Sequence, residues 1–286
     1  MSLEVPSWST TVLDVMRIGL GFVVIKTFSV IHTFRPSGEP PFPVGIARVV
    51  NLSWAASHST ARWMQWGAYV AALCYAADLL VPFALLYLAA ATILEVTFRS
   101  SYGSVNHGDH LLAAVLTAQT AGVALWNAAV HWGWDLGALL ADSQQTTGAW
   151  WAVQAIVAVY FTSGLSKLLN SGGHWIRRSP ALLLNAYGRI DTDEMMAKGG
   201  WDSQRRSDAL ITWLFSRPTI TKCLFAVGLL VELAAPIGLL GELYLFAVGL
   251  ALIALHKGNR ILLGLPFPEF QVLVFVYLVN VPQFFR

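Results

Sequence analysis

A single lysine near the end of an apolar stretch is the strongest candidate in this sequence for a residue that carries out chemistry. Lys167 follows the apolar end of a predicted helix and precedes a polar run that contains Gly172 and Gly173. An ionisable group inside a membrane helix costs about 2.5–3.5 kcal/mol at the bilayer centre and less near the surface. Two interpretations stay open. Lys167 either snorkels to mark the membrane interface or acts as a base at the mouth of a cavity.

A polar motif opens another apolar helix, Asn106-His107-Gly108-Asp109-His110. Asn106 or Asp109 could cap the free N–H groups of the first turn, which is a structural role. Alternatively, His107 could carry a proton or donate a hydrogen bond, because imidazole changes charge near neutral pH. His107 and His110 share a helix face, but the sequence fixes no third ligand beside them. We therefore predict no metal site.

Two further ionisable residues lie in late apolar segments. Glu232 is deep in an apolar helix that also contains Pro236, and a membrane carboxylate of this kind is usually functional or paired. His256 is placed at the end of the next predicted span, where its role stays open. The structural alternative for Glu232 is an ion pair with one of three cations, namely Lys222, Arg17 or Lys26.

The composition indicates the class of protein that must position these residues. The chain has 286 residues, of which 56% are hydrophobic and 12% are charged. Soluble domains carry about 25% charged residues, so the low charge and the long apolar runs predict a polytopic helical membrane protein. The net charge of +2 gives no electrostatic support for a nucleic-acid partner. The lipid bilayer is the expected environment.

The predicted fold class is all-α, an integral membrane helical bundle with about eight transmembrane helices. The apolar run 66–98 is too long for one span, and Asp78 and Pro82 interrupt it, so we divide it after residue 80. Residues 33–65 and 170–217 are predicted as connections outside the membrane, within a single domain 1–286, and 51–64 is predicted as a short amphipathic helix on the membrane surface. The predicted segments are 11–32, 66–80, 81–98, 107–127, 148–169, 218–240, 241–256 and 266–284.

The basic residues of the connections favour this division. With eight spans, the lysines and arginines of the connections fall on one side of the membrane, and only Arg286 falls on the other. The positive-inside rule then places the basic side in the cytoplasm and both termini outside. Arg17 and Lys26, inside the first segment, should face other helices or the interface rather than lipid.

These motifs resemble the horizontally transferred transmembrane (HTTM) domain, the membrane half of vitamin K-dependent γ-carboxylase, which is shared with many bacterial membrane proteins. The likeness covers most of the chain in order. The stretch around Lys167 is the most specific part, and it resembles the family's Tyr-Phe-x-x-Gly-x-x-Lys-Leu…Trp pattern from Tyr160 to Trp175. The other matching positions are the Arg17 region of the first helix, Asn106-His107, Glu232 with Pro236, and His256.

The resemblance implies a function. In the carboxylase, the lysine that matches Lys167 deprotonates vitamin K hydroquinone, and the histidine that matches His107 assists it. Lys167 and His107 are therefore the expected catalytic residues, and a quinol or another lipophilic molecule is the expected substrate or cofactor. The location implied is a bacterial inner membrane. The expected substrate-binding residues are Tyr160, Asn106, His110, Glu232, His256 and Trp175.

The sequence also departs from the carboxylase. That enzyme has a long extramembrane region after its membrane domain, whereas this sequence ends at Arg286, just after the last predicted span. Carboxylation of a glutamyl protein would therefore be expected to need a partner subunit. The predicted site also faces the cytoplasm, while the carboxylase works on the luminal side. The alternative function is a non-catalytic membrane subunit that anchors or stabilises a larger complex.

Overall fold

A computed structural model describes most of the chain, namely residues 8–31, 40–103, 107–134, 140–181, 183, 209–263 and 267–280, without the side chain of His107. Helices and turns make up these residues, and none of them lies in a β-strand. The predicted all-α class is confirmed for this part of the chain. The α-helices are α1 (Thr10–Ser29), α2 (His58–Ala76), α3 (Val81–Ser101), α4 (His107–Trp132), α5 (Gln144–Ser171), α6 (His174–Arg177), α7 (Pro218–Leu233), α8 (Glu242–Leu263) and α9 (Pro268–Val274).

Several of these helices could cross a bilayer, which indicates a multi-pass membrane protein. Among the described residues, five helices are long and apolar enough: α3, most of α4, α5, α7 with its continuation to Leu240, and α8. Helix α1 falls outside this set because it carries Asp14, Arg17 and Lys26. The short α9 and the π-helical turn after it span only Pro268–Val279. The eight-span arrangement and its orientation therefore stay predictions.

The predicted division of the long apolar run is confirmed. Helix α2 ends at Ala76, and α3 begins at Val81 with Pro82 in its first turn. Between them, Asp78 and Leu80 have φ angles of 60° and 49°, in the left-handed region that no α-helix of L-residues can continue through. Proline can begin a helix because the first N–H groups need no partner within it. Local sequence therefore forces the turn.

Helix α2 begins before residue 66, where its membrane span was predicted to start. Its first residue is His58, inside the stretch 33–65 that we predicted as a connection outside the membrane. The Ser57 hydroxyl accepts a hydrogen bond from the Thr60 N–H at 3.1 Å and so caps the helix. The polar residues after this cap form the first turns of α2, in the same helix as the apolar residues that follow.

The chain divides into two compact units, 1–156 with 272–286 and 157–271. In the first unit, α1 packs on α2, α2 on α3, and α3 on α4. Arg17 is buried there and pairs with Asp14 and Asp78, which confirms that it does not face lipid. Its two carboxylate partners are partly exposed, so this ion-pair cluster reaches the surface of the unit.

In the second unit, α7 contacts α8, and α6 contacts α7. Helix α7 ends at Leu233, and a 3-10 segment, Ala235–Leu240, follows because Pro236 has no N–H to continue the α-helix. Helix α8 continues to Leu263. The prediction that His256 ends its span was therefore wrong, since His256 lies inside α8, where it is buried.

Candidate functional site

One face of α5 carries three of the residues that matter in the second unit. Tyr160, Gly164 and Lys167 are spaced four and three residues apart, so they lie on the same side of the helix. Tyr160 is buried, and Lys167 keeps 27% of its side chain exposed. The helix ends at Ser171, and Gly172 and Gly173 follow with φ angles of 54° and 77°. These glycines allow the sharp turn into α6.

This turn returns Trp175 to Lys167. The Ser171 hydroxyl accepts a hydrogen bond from the Trp175 N–H at 3.1 Å, and it donates to the Lys167 carbonyl. The Lys167 ammonium group then lies 5.4 Å from the centre of the Trp175 ring, within the range of a cation–π contact. The aromatic ring therefore stabilises a positive charge at the end of α5.

Lys167 also forms an ion pair with Glu232 of α7. Its Nζ donates to both carboxylate oxygens, at 2.6 Å to Oε2 and at a shorter distance to Oε1. The Glu232 side chain is only 8% exposed, so its charge is largely removed from solvent. A buried carboxylate needs such a partner, because an uncompensated one costs several kcal/mol. Lys167 and Glu232, which the sequence singled out separately, thus form one ion pair.

This pairing corrects one expectation. The structural alternative for Glu232 named Lys222, Arg17 or Lys26 as its partner, but the carboxylate pairs with Lys167. Gly164 gives the physical reason. A Cβ atom at Gly164 would lie 3.1 Å from the Glu232 Cβ, so the absence of a side chain allows α5 and α7 to approach closely at this point. Lys167, one turn further along the same face, then reaches the carboxylate.

The role of Gly164 can be tested by substitution. We expect Gly164→Leu to lower the free energy of unfolding by about 2–3 kcal/mol, because the side chain would overlap Glu232 and Leu233. Thermal unfolding in detergent measures this. Gly258→Leu is the control, since a Cβ at Gly258 of α8 meets nothing within 4 Å. Equal destabilisation by both substitutions would contradict a close contact at Gly164.

A second polar pair lies in the same unit. The Tyr160 hydroxyl and the His256 Nε2 are 2.5 Å apart, a hydrogen bond between α5 and α8. The rings of Phe267 and Phe270 lie against His256, with ring centres 5.5 and 5.0 Å away. His256 is only 5% exposed, and its Nδ1 has no hydrogen-bond partner among the residues that the structure describes. A buried imidazole with one uncommitted nitrogen can hydrogen-bond a ligand.

Together these contacts define the candidate site: Tyr160, Lys167, Trp175, Glu232 and His256, with Phe267 and Phe270. An amine and a carboxylate in contact can take a proton from a hydroxyl group and share it between them. Aromatic side chains suit a flat, apolar ring. The site thus combines proton-transfer groups with an aromatic surface, which are the two features that deprotonation of a lipophilic hydroxyl compound requires.

The site includes five of the eight residues that the sequence singled out. The other three are in or next to α4, in the first unit. Asn106 and the His107 side chain lie outside the described residues, so the expected role of His107 as a helper that faces the same cavity as Lys167 stays a prediction. His110 is exposed, and its Nε2 is 3.4 Å from the Ser100 hydroxyl.

Sequence reasoning missed two features. Phe267, just before α9, and Phe270, in its first turn, lie against the ring of His256 and against each other, and no motif marked them. Arg99 was counted only among the basic residues of the connections, but it pairs with Glu95 at 2.7 Å and with Asp109 at 3.7 Å. The spacing of four residues between Glu95 and Arg99 was the available signal. Asp109 is therefore held by an ion pair.

The described residues contain no group of three histidine, cysteine, aspartate or glutamate side chains that could hold a metal ion. Glu232 is occupied by Lys167, and His256 by Tyr160, so the ionisable groups of the site bind one another. Comparison with known proteins gives no match for this chain among protein-family models, curated proteins or solved structures.

Proposed function

We propose that this protein is a membrane enzyme of the carboxylase-like type, which removes a proton from a quinol or another lipophilic hydroxyl compound. The Lys167 ammonium group passes a proton to the Glu232 carboxylate through the ion pair, and the neutral amine that this leaves is the base that accepts the substrate proton. The single observation that carries the proposal is this buried pair beside Tyr160, Trp175 and His256. The resemblance to the HTTM domain had marked all five of these residues.

In this proposal, each residue of the site has a distinct role in binding or deprotonating the substrate. The substrate O–H bond breaks, its proton passes to the Lys167–Glu232 pair, and the negative charge stays on the substrate oxygen. The ring of Trp175 and the rings beside His256 offer apolar surface to the body of the substrate. The free Nδ1 of His256 can hydrogen-bond an oxygen at the far side of a quinol ring. His107 as helper and a bacterial inner-membrane location follow from the resemblance.

Reduced naphthoquinone is the direct probe of this function. We expect the protein in lipid nanodiscs to bind it saturably, seen as a rise in unfolding temperature that levels off with concentration. The deprotonated quinol is oxidised to the quinone by dissolved dioxygen, which takes up its two electrons, so quinol consumption in aerated buffer, followed by ultraviolet absorbance, should exceed that of protein-free nanodiscs. A protein that neither binds reduced naphthoquinone nor accelerates its consumption would contradict a quinol substrate.

One observation favours the alternative, a non-catalytic membrane subunit. Arg99 and Lys167 each pair with a carboxylate of another helix, and Arg17 of α1 pairs with Asp78 in the turn between α2 and α3. Such pairs can simply join helices within the membrane. Gentle detergent extraction distinguishes the two functions: a stoichiometric larger complex favours the subunit, and activity of the isolated chain favours the enzyme.

A further inference from the structure

A small cavity lies in the first unit, apart from the candidate site. It is lined by residues of α1, α2, α3, α4 and α5, among them Arg17, Tyr75 and Gln119. Its volume is about 10 Å³, measured as the space open to the centre of a water molecule. About one water molecule fits into a volume of this size.

Two side chains that line the cavity have buried polar atoms that are unpaired among the described residues. The Arg17 Nε and the Gln119 Oε1 have no hydrogen-bond partner there, although Arg17 is only 8% exposed and Gln119 only 1%. The other polar ends of both side chains are engaged. Arg17 pairs with Asp14 and Asp78, and the Gln119 Nε2 donates to Tyr75 at 2.9 Å and to Tyr277 at 3.0 Å.

A buried donor or acceptor that has no hydrogen bond costs about 1–3 kcal/mol, and more if the group is charged. The two unpaired atoms are complementary, since the Arg17 Nε–H is a donor and the Gln119 Oε1 is an acceptor. One molecule that can both accept and donate would satisfy both atoms. The charge around Arg17 is already matched by two carboxylates, so a neutral molecule fits better than an ion.

We propose that this cavity binds one water molecule, which accepts a hydrogen bond from Arg17 and donates one to Gln119. The Tyr75 hydroxyl, also in the wall, is its third polar partner. Buried waters make about three hydrogen bonds on average, and this site provides that number. The water completes a hydrogen-bonded chain from the partly exposed Asp78 through Arg17 and Gln119 to the buried Tyr277.

Radiolytic footprinting of the intact protein in nanodiscs tests the proposal. A short X-ray pulse generates hydroxyl radicals from bound water, and mass spectrometry measures oxidation at each residue. Tyr75 and Tyr277 form a matched pair, because both are buried and both bind Gln119, but only Tyr75 lines the cavity. We expect Tyr75 to be oxidised at least threefold faster than Tyr277. Equal rates would overturn the proposal.

A variant that fills the cavity gives the second measurement. Ala149 lines it, and Ala149→Val adds two methyl groups, so the oxidation rate of Tyr75 should fall to that of Tyr277. Val123→Ile is a milder change of the same wall and serves if the first variant does not fold. If Tyr75 is still oxidised at the original rate in a folded variant, the hydroxyl radicals do not come from water in this cavity, and the proposal is overturned.

Discussion

Lys167→Met is expected to lower the free energy of unfolding by about 3 kcal/mol, because it leaves the Glu232 carboxylate buried without a countercharge. The methionine keeps most of the length and apolar volume of the lysine stem, so the loss reports the charge rather than a cavity. Only 8% of the Glu232 side chain is exposed, so solvent cannot replace the lysine. Thermal unfolding in detergent, with circular dichroism at 222 nm, measures the change.

The reverse substitution should cost less. In Glu232→Leu, Lys167 loses its partner but is 27% exposed and has a flexible stem, so it can turn its ammonium group toward solvent. We expect a loss of about 1–2 kcal/mol, and near wild-type stability when both substitutions are combined, because no buried charge then remains unpaired. A double variant whose loss equals the sum of the single losses would show that the two groups are not coupled.

Local signals in the sequence located the helices better than they located the contacts between them. The break between α2 and α3 was predictable, because Pro82 and the polar Asp78 affect the backbone only within a few residues of their own positions. A helix over 51–64 was also predicted, but as a separate surface helix, whereas the Ser57 cap begins a helix that continues into the apolar residues of α2. The length of α8 was not predictable, because Lys257, Gly258 and Asn259 resemble a helix end.

The partner of Glu232 illustrates why site geometry was harder to predict. Its pairing with Lys167 joins residues that are 65 positions apart, and it depends on the close approach of α5 and α7 at Gly164. Hydrophobic periodicity identifies the apolar face of a helix but not the neighbour that covers it. The spacing of Tyr160, Gly164 and Lys167 puts them on one face of a helix, and the structure supplied the carboxylate that pairs with Lys167.

The substitution Lys167→Arg tests whether Lys167 removes the substrate proton or only provides a positive charge beside Glu232. Lys167→Arg should leave a folded protein, because arginine keeps the positive charge, can pair with Glu232 and can stack on Trp175. Arginine does not release its proton in proteins, so it cannot act as a base. If Lys167 takes the proton from the substrate, quinol consumption should fall by about 100-fold or more, the usual contribution of a general base.

The matched control for this variant is Lys257→Arg in α8, where the lysine is exposed and lies outside the site. It makes the same chemical change and should leave both stability and quinol consumption unaltered. Lys167→Ala should be as inactive as Lys167→Arg but less stable, because it alone breaks the ion pair. Full quinol consumption by Lys167→Arg would contradict proton removal by this residue, and Lys167 would then serve only to neutralise the buried Glu232 carboxylate.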